Sequence, residues 1–160
     1  MKITAETKLP LQDENIVILE NPKDAREVID ILSTLLEKQG VVKPSFREAV
    51  WEREQNMPTG LELEGDFHAA IPHADIEHVN KPSLALAVLK HPVRFRCMVE
   101  PEKELDVRLV FLLAMDEPKK QIEMLQQVST ILQDAPLIKS LSVSNSAEEV
   151  MKFISIHNTH

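Results

Sequence analysis

Between Asp106 and Met115 the chain carries Val107, Leu109, Val110, Phe111, Leu112 and Leu113 with almost no polar interruption. Alternate residues of a strand point to opposite faces, and here both sets are apolar, so this strand has no solvent side. Its sheet must be covered on both faces. The surrounding sequence supplies helices to do so. After Pro118, residues Ile122, Leu125, Gln126, Ser129 and Leu132 trace one helical face, with Val128 and Ile131 beside it. Further upstream, Val28, Ile29, Leu32, Leu35 and Leu36 recur at helical spacing and Gly40 stands where a C-terminal cap belongs.

The rest of the chain fits the same plan. Ile16 to Leu19 form a short β-like run, and Asn21-Pro22 reads as an N-cap followed by proline at the first helical position. A second helix is expected from about Ser45 to Gln55, with Phe46, Ala49 and Val50 inward, stopped by Met57-Pro58-Thr59-Gly60. Ser83 to Leu89 reads as a strand. A shorter helix is expected from Ala135 to Leu141, and Ser146-Ala147-Glu148-Glu149 has capping-box form before Val150, Phe153 and Ile154. The expected fold is α/β: a single domain with a central mixed β-sheet and helices packed on its faces. Residues 1–14 are assigned to an N-terminal segment and 15–157 to the domain.

Several function classes are poorly served. The net charge of −8 argues against non-specific nucleic-acid binding, although solubility alone explains an acidic surface. No stretch approaches the ~20 apolar residues of a membrane span, and the start of the chain lacks the apolar core of a secretory signal. The single cysteine, Cys97, excludes an internal disulfide and a multi-cysteine zinc site, so a reducing, cytoplasmic setting is expected. With three glycines, the clustered patterns that cradle nucleotides are absent. No G-x-S-x-G or H-E-x-x-H is present, and His68, His73 and His78 are spaced five and five, which does not align them on a helix.

His73 stands in a distinct setting. Ala69-Ala70-Ile71-Pro72-His73-Ala74 reads as an apolar strand ending in a proline-fixed step. Proline holds its own φ and pushes Ile71 toward extended geometry, so the backbone at His73 is stiffly presented. The small neighbours Ala70 and Ala74 are expected to leave the ring accessible. A neutral imidazole held in this way suits nucleophilic phosphoryl capture. On composition and spacing alone, a histidine that merely hydrogen-bonds at a strand end is the simpler reading. Arg53 is likewise readable as a surface ion pair with Glu52 or Glu54.

Arg53-Glu54, then Thr59-Gly60, then Ala70-Ile71-Pro72-His73, with the strand Val107 to Ala114 and the helix after Pro118, form an ordered set over roughly residues 15 to 155. The set resembles the type-2 enzyme IIA domain of the bacterial sugar phosphotransferase system, the fructose, mannitol and galactitol class, with its anion-transport-protein-like fold. The resemblance implies a phosphotransferase without cofactor or metal. The phosphocarrier protein HPr would dock on a shallow apolar face around His73, and His73 would take the phosphoryl group on Nε2. A cysteine of an enzyme IIB would then receive it, and the sugar would be phosphorylated during import through the membrane enzyme IIC.

The same resemblance assigns Arg53 to phosphate stabilisation and Thr59 to a hydrogen-bonding role, unless it only ends the helix. Mannitol- and fructose-type members carry a second histidine in a His-Ile-Glu context, where this chain has Gln121-Ile122-Glu123. Gln121 can donate a hydrogen bond but carries no charge. That replacement, and the longer Leu61-to-His68 segment, resemble galactitol-type members. His68 lies close enough in sequence to approach His73. The alternative within the same fold is a nitrogen-type regulatory enzyme IIA that controls partner proteins.

Overall fold

The computed structural model describes residues 9–158. Strand β1 is Ile16–Leu19, and it is followed by helices α1 (Ala25–Lys38) and α2 (Phe46–Asn56). Two short strands come next, β2 (Gly60–Leu61) and β3 (His68–Ala70), then a long hairpin of β4 (Ser83–Arg96) and β5 (Glu104–Ala114). Helices α3 (Pro118–Leu132), α4 (Ala135–Ser142) and α5 (Ala147–Asn158) close the described chain. The strands form one mixed sheet in the order β1-β4-β5-β3-β2. β1 runs parallel to β4 and β3 parallel to β5, while β4–β5 and β2–β3 are antiparallel.

The apolar run in β5 is buried on both sides, as its composition demands. Leu109, Phe111 and Leu113 join Leu84, Leu86 and Val88 under α3, α4 and α5, with Val128, Ile131, Leu141, Val150 and Ile154. Val110 and Leu112 join Ala85, Ala87 and Leu89 under α1 and α2, with Ile29, Leu32, Leu36, Phe46 and Val50. Leu9 and Leu11, from the segment assigned ahead of the domain, are buried in the first of these layers. Residues 1–8 of that segment lie outside the described residues.

The cap of α1 is Asp24, not Asn21: its side chain accepts from Glu27 N–H at 2.9 Å. The helix starts three residues later than Asn21-Pro22 suggested because Asp24 can bond the N3 amide while Glu27 accepts from Lys23 N–H. At the other end Gly40 takes φ +77°, Gly40 N–H bonds Glu37 O at 2.9 Å and Val41 N–H bonds Leu36 O at 3.2 Å, a Schellman closure. β4 continues seven residues past Leu89, because Val93 and Phe95 keep facing inward and Lys90-His91-Pro92 is taken up by an irregularity between Val88 and Val93. Ile122, expected on the inner face of α3, is exposed.

Candidate functional site

The polypeptide leaves α2 at Asn56, turns through Met57-Pro58 and enters the two-residue strand β2 at Gly60. Gly60 is required there by space. A Cβ at this position would sit 2.5 Å from the Arg96 carbonyl oxygen, because β2 lies against the far end of β4. Thr59 is thereby drawn inside, 2% exposed, and its polar groups must be satisfied from within the protein. Glu54 does this from the last turns of α2. Its carboxylate accepts from Thr59 N–H at 2.9 Å and from Thr59 Oγ1–H at 2.8 Å. In turn Thr59 Oγ1 accepts from Ile71 N–H at 3.2 Å, a proton that also faces the Thr59 carbonyl at 3.3 Å.

Ile71 begins the stretch that carries His73. Regular pairing of β3 stops at Ala70, but the backbone stays beside β5: Leu113 N–H bonds Pro72 O at 3.1 Å, and His73 bridges Leu113. The imidazole turns back so that Nδ1 lies 2.9 Å from Ile71 O. That contact makes Nδ1 the protonated nitrogen, since the carbonyl can only accept. Nε2 makes no hydrogen bond among the described residues.

The accessible ring expected at a strand end is corrected here: His73 is only 6% exposed, because the 71–74 stretch runs alongside β5 instead of leaving the sheet. Arg53 Nε and Gln121 Oε1 are fully enclosed without partners, whereas Nε2 of His73, which also lacks a partner, is not fully enclosed. Burial lowers the pKa of the ring below its usual value, and the Arg53 guanidinium lowers it further. The Ile71 carbonyl and the Asp75 charge oppose them without reversing the direction. The ring is therefore neutral at pH 7.

The remaining residues singled out from the sequence converge on this point to different degrees. Arg53 makes no ion pair among the described residues, so the surface pairing with Glu52 or Glu54 is not formed; its charge acts electrostatically on both His73 and Glu54. Gln121, in the first turn of α3, donates to Ala74 O at 3.4 Å, next to His73. His68 is turned elsewhere: its Nδ1 accepts from Leu63 N–H at 3.0 Å, and it lines a separate polar cleft with Glu62, Asp66 and Lys103. Sequence reasoning gave Glu54 no role beyond its neighbour's ion pair. The available signal was a carboxylate five residues before a buried Thr-Gly turn, a spacing that suits a helix end bonding its own exit loop.

Met57, Met98 and Ile122 are exposed. Each belongs to a segment that frames this site: Met57 precedes Thr59, Met98 N–H bonds Gly60 O at 2.8 Å, and Ile122 follows Gln121.

Residues 10–156 match the family described as phosphoenolpyruvate-dependent sugar phosphotransferase system, EIIA 2. The galactitol-specific EIIA component of Escherichia coli K12 is 29% identical over 119 residues, covering 74% of this chain and 77% of that protein. The crystal structure of mannitol enzyme IIA from Escherichia coli superposes with a TM-score of 0.74 at 28% identity, covering 90% of this chain and 98% of that one. A second solved structure, the complex of mannitol enzyme IIA and phosphorylated mannitol enzyme IIB from Escherichia coli, gives 0.73 at 26% identity, covering 91% and 96%.

Proposed function

The chain belongs to the EIIA 2 family of the phosphoenolpyruvate-dependent sugar phosphotransferase system, a family of phosphotransferase components, and from that premise we propose that His73 is its phosphoryl carrier. One observation carries the assignment. The ring is neutral, its Nδ1 proton is committed to Ile71 O, and Nε2 is left without a partner and not fully enclosed. In the proposed cycle the Nε2 lone pair attacks phosphorus in line, and the Nε2–P bond forms as the N–P bond of phosphohistidine on HPr breaks. In the second half, a cysteine thiolate of an enzyme IIB attacks the same phosphorus, the S–P bond forms, and imidazole departs with its Nδ1 proton still in place.

Phosphoryl transfer asks chiefly for positioning and charge stabilisation. Arg53 supplies the charge: an enclosed guanidinium N–H without an acceptor is costly unless an anion arrives to take it. Thr59 acts by holding Ile71, and Gln121 by holding the Ala74 carbonyl at the edge of the site. Met57, Met98 and Ile122 provide an apolar rim on which HPr and then enzyme IIB dock in succession. The kinship with a galactitol-specific component, together with Gln121 in place of a second histidine, supports galactitol or a related polyol as the cargo, handled by IIB and the membrane component IIC, with this chain acting in the cytoplasm.

The decisive experiment is reconstitution with enzyme I, HPr and phosphoenolpyruvate. The expected product carries one acid-labile, base-stable phosphoryl group on His73, and His73→Ala takes up none. A label on another residue, or undiminished labelling of the variant, refutes the assignment. Passage of the label to a IIB cysteine separates the transport relay from a purely regulatory carrier.

A further inference from the structure

An isolated neutral imidazole protonates preferentially on Nε2, the nitrogen that must stay bare if His73 is to attack phosphorus. Something must hold the opposite tautomer, and the Ile71 carbonyl is the group in contact. A carbonyl can do this only if it stays aimed at Nδ1. Pro72 stiffens one side of Ile71. The other side is fixed through the Ile71 amide, which is pinned by Thr59, which is pinned by two hydrogen bonds to a carboxylate that is itself buried. We propose that Glu54 is the positioning residue of this site: acting through Thr59 and the backbone of Ile71, it sets the tautomer of His73 and so keeps Nε2 nucleophilic. The proposal rests on the carrier reading of His73 for its purpose, but not for its physical content.

Three details favour this over a purely structural carboxylate. Both carboxylate oxygens are spent on Thr59, one on its amide and one on its hydroxyl, so the residue is held in position and orientation together. Orienting the hydroxyl proton toward Glu54 leaves an Oγ1 lone pair to receive Ile71 N–H. The carboxylate also stands within the field of Arg53 and Arg96, whose charges oppose the upward push that burial exerts on its pKa. The chain of contacts works by geometry: the Ile71 N–H and C=O belong to different peptide units, and what passes between them is the orientation of one residue.

The test reads the ring directly. In the unphosphorylated protein labelled with ¹⁵N-histidine, the His73 shifts are expected to report protonated Nδ1 and unprotonated Nε2. In Glu54→Gln one Thr59 donor faces an amide NH₂, and the shifts should move toward the Nε2–H form, with phosphoryl uptake from HPr slowed at least tenfold. Thr59→Val should do the same, Thr59→Ser should restore both readouts, and the double variant Glu54→Gln/Thr59→Val should be no worse than Thr59→Val alone. Wild-type ring shifts in either Glu54→Gln or Thr59→Val, or losses that multiply in the double variant, overturn the proposal; if one variant does not fold, the other decides. A protein whose tautomer responds in this way yet accepts no phosphoryl group sinks the carrier reading and leaves the positioning role standing.

Discussion

Where β4 and β5 pair, the sheet is held by apolar side chains on both faces, and Leu109 to Ala114 are completely buried. At its other edge, β3 and β2 pair over three and two residues, too few to hold themselves by burial. That edge adds a run of polar contacts to the burial of Ala69 and Ala70: Glu54 on Thr59, Thr59 on Ile71, Ile71 on His73. The centre buries apolar area, whose contribution is non-directional and scales with the area removed from water. The edge depends on buried hydrogen bonds, whose worth lies in direction and whose loss strands a polar partner. A reactive imidazole gains from the second kind of support, because its chemistry is decided by which nitrogen carries the proton.

The sharpest way to break this contrast is to damage each region and read both stability and transfer. Phe111→Ala, at the centre, should cost about 3–5 kcal/mol in urea unfolding by loss of burial and creation of a cavity. The fraction that remains folded should still take phosphoryl at close to the wild-type rate. A loss below about 1 kcal/mol would show that the centre does not carry the fold.

Arg53→Ala, at the edge, should invert the pattern. Transfer should slow by about ten- to a hundredfold, equivalent to about 1.4–2.7 kcal/mol of transition-state stabilisation. The urea midpoint should barely move, because Arg53 makes no ion pair among the described residues and leaves one enclosed donor unsatisfied in the resting protein. Wild-type kinetics would remove Arg53 from the site.

The two regions were also unequally legible from sequence. The centre could be read almost residue by residue, since an unbroken apolar run admits few arrangements, and the helices that cover it announce themselves by period and caps. The position of Asp24 as the cap of α1 was missed because Asn21-Pro22 offered an equally good local pattern, and the choice between them depends on which residue reaches the N3 amide. At the edge, Arg53, Thr59, His73 and Gln121 could be singled out by motif, but their arrangement could not. The burial of His73 comes from the run of residues 71–74 beside β5, and the part played by Glu54 from where β2 meets the end of β4, in both cases a contact between residues far apart in the chain. No local period encodes it.

That meeting point can be tested by itself. Gly60→Ala would press a methyl group against the Arg96 carbonyl at 2.5 Å, and the obstacle is backbone that must shift. A destabilisation of about 1–2 kcal/mol is expected by analogy with overpacking elsewhere. Because Thr59 adjoins the displaced residue, transfer should weaken along with stability, unlike either earlier variant. Unchanged transfer would mean that the edge tolerates movement and that direction matters less there than the contrast supposes.

The smallest effect concerns pH. Burial, reinforced by Arg53, lowers the His73 pKa from its ordinary 6.5, so the unfolded chain binds more protons than the folded one in the window below that value. Stability from this group is therefore complete above pH 6.5 and is lost as pH falls through the lowered folded value. Glu54 works in the opposite sense: burial raises its pKa from 4.5, so its contribution declines as pH rises above that point toward the raised value. Because the windows can meet, the two groups must be separated by substitution. His73→Gln should lose less stability than the wild type on going from pH 7.5 to 5.5, while Glu54→Gln should keep a His73 slope of the same sign. A histidine C2 proton that titrates at or above 6.5 in the wild type would show that the ring meets water more freely than its 6% exposure implies. The polar edge would then lack the dry surroundings that give its hydrogen bonds their directional force.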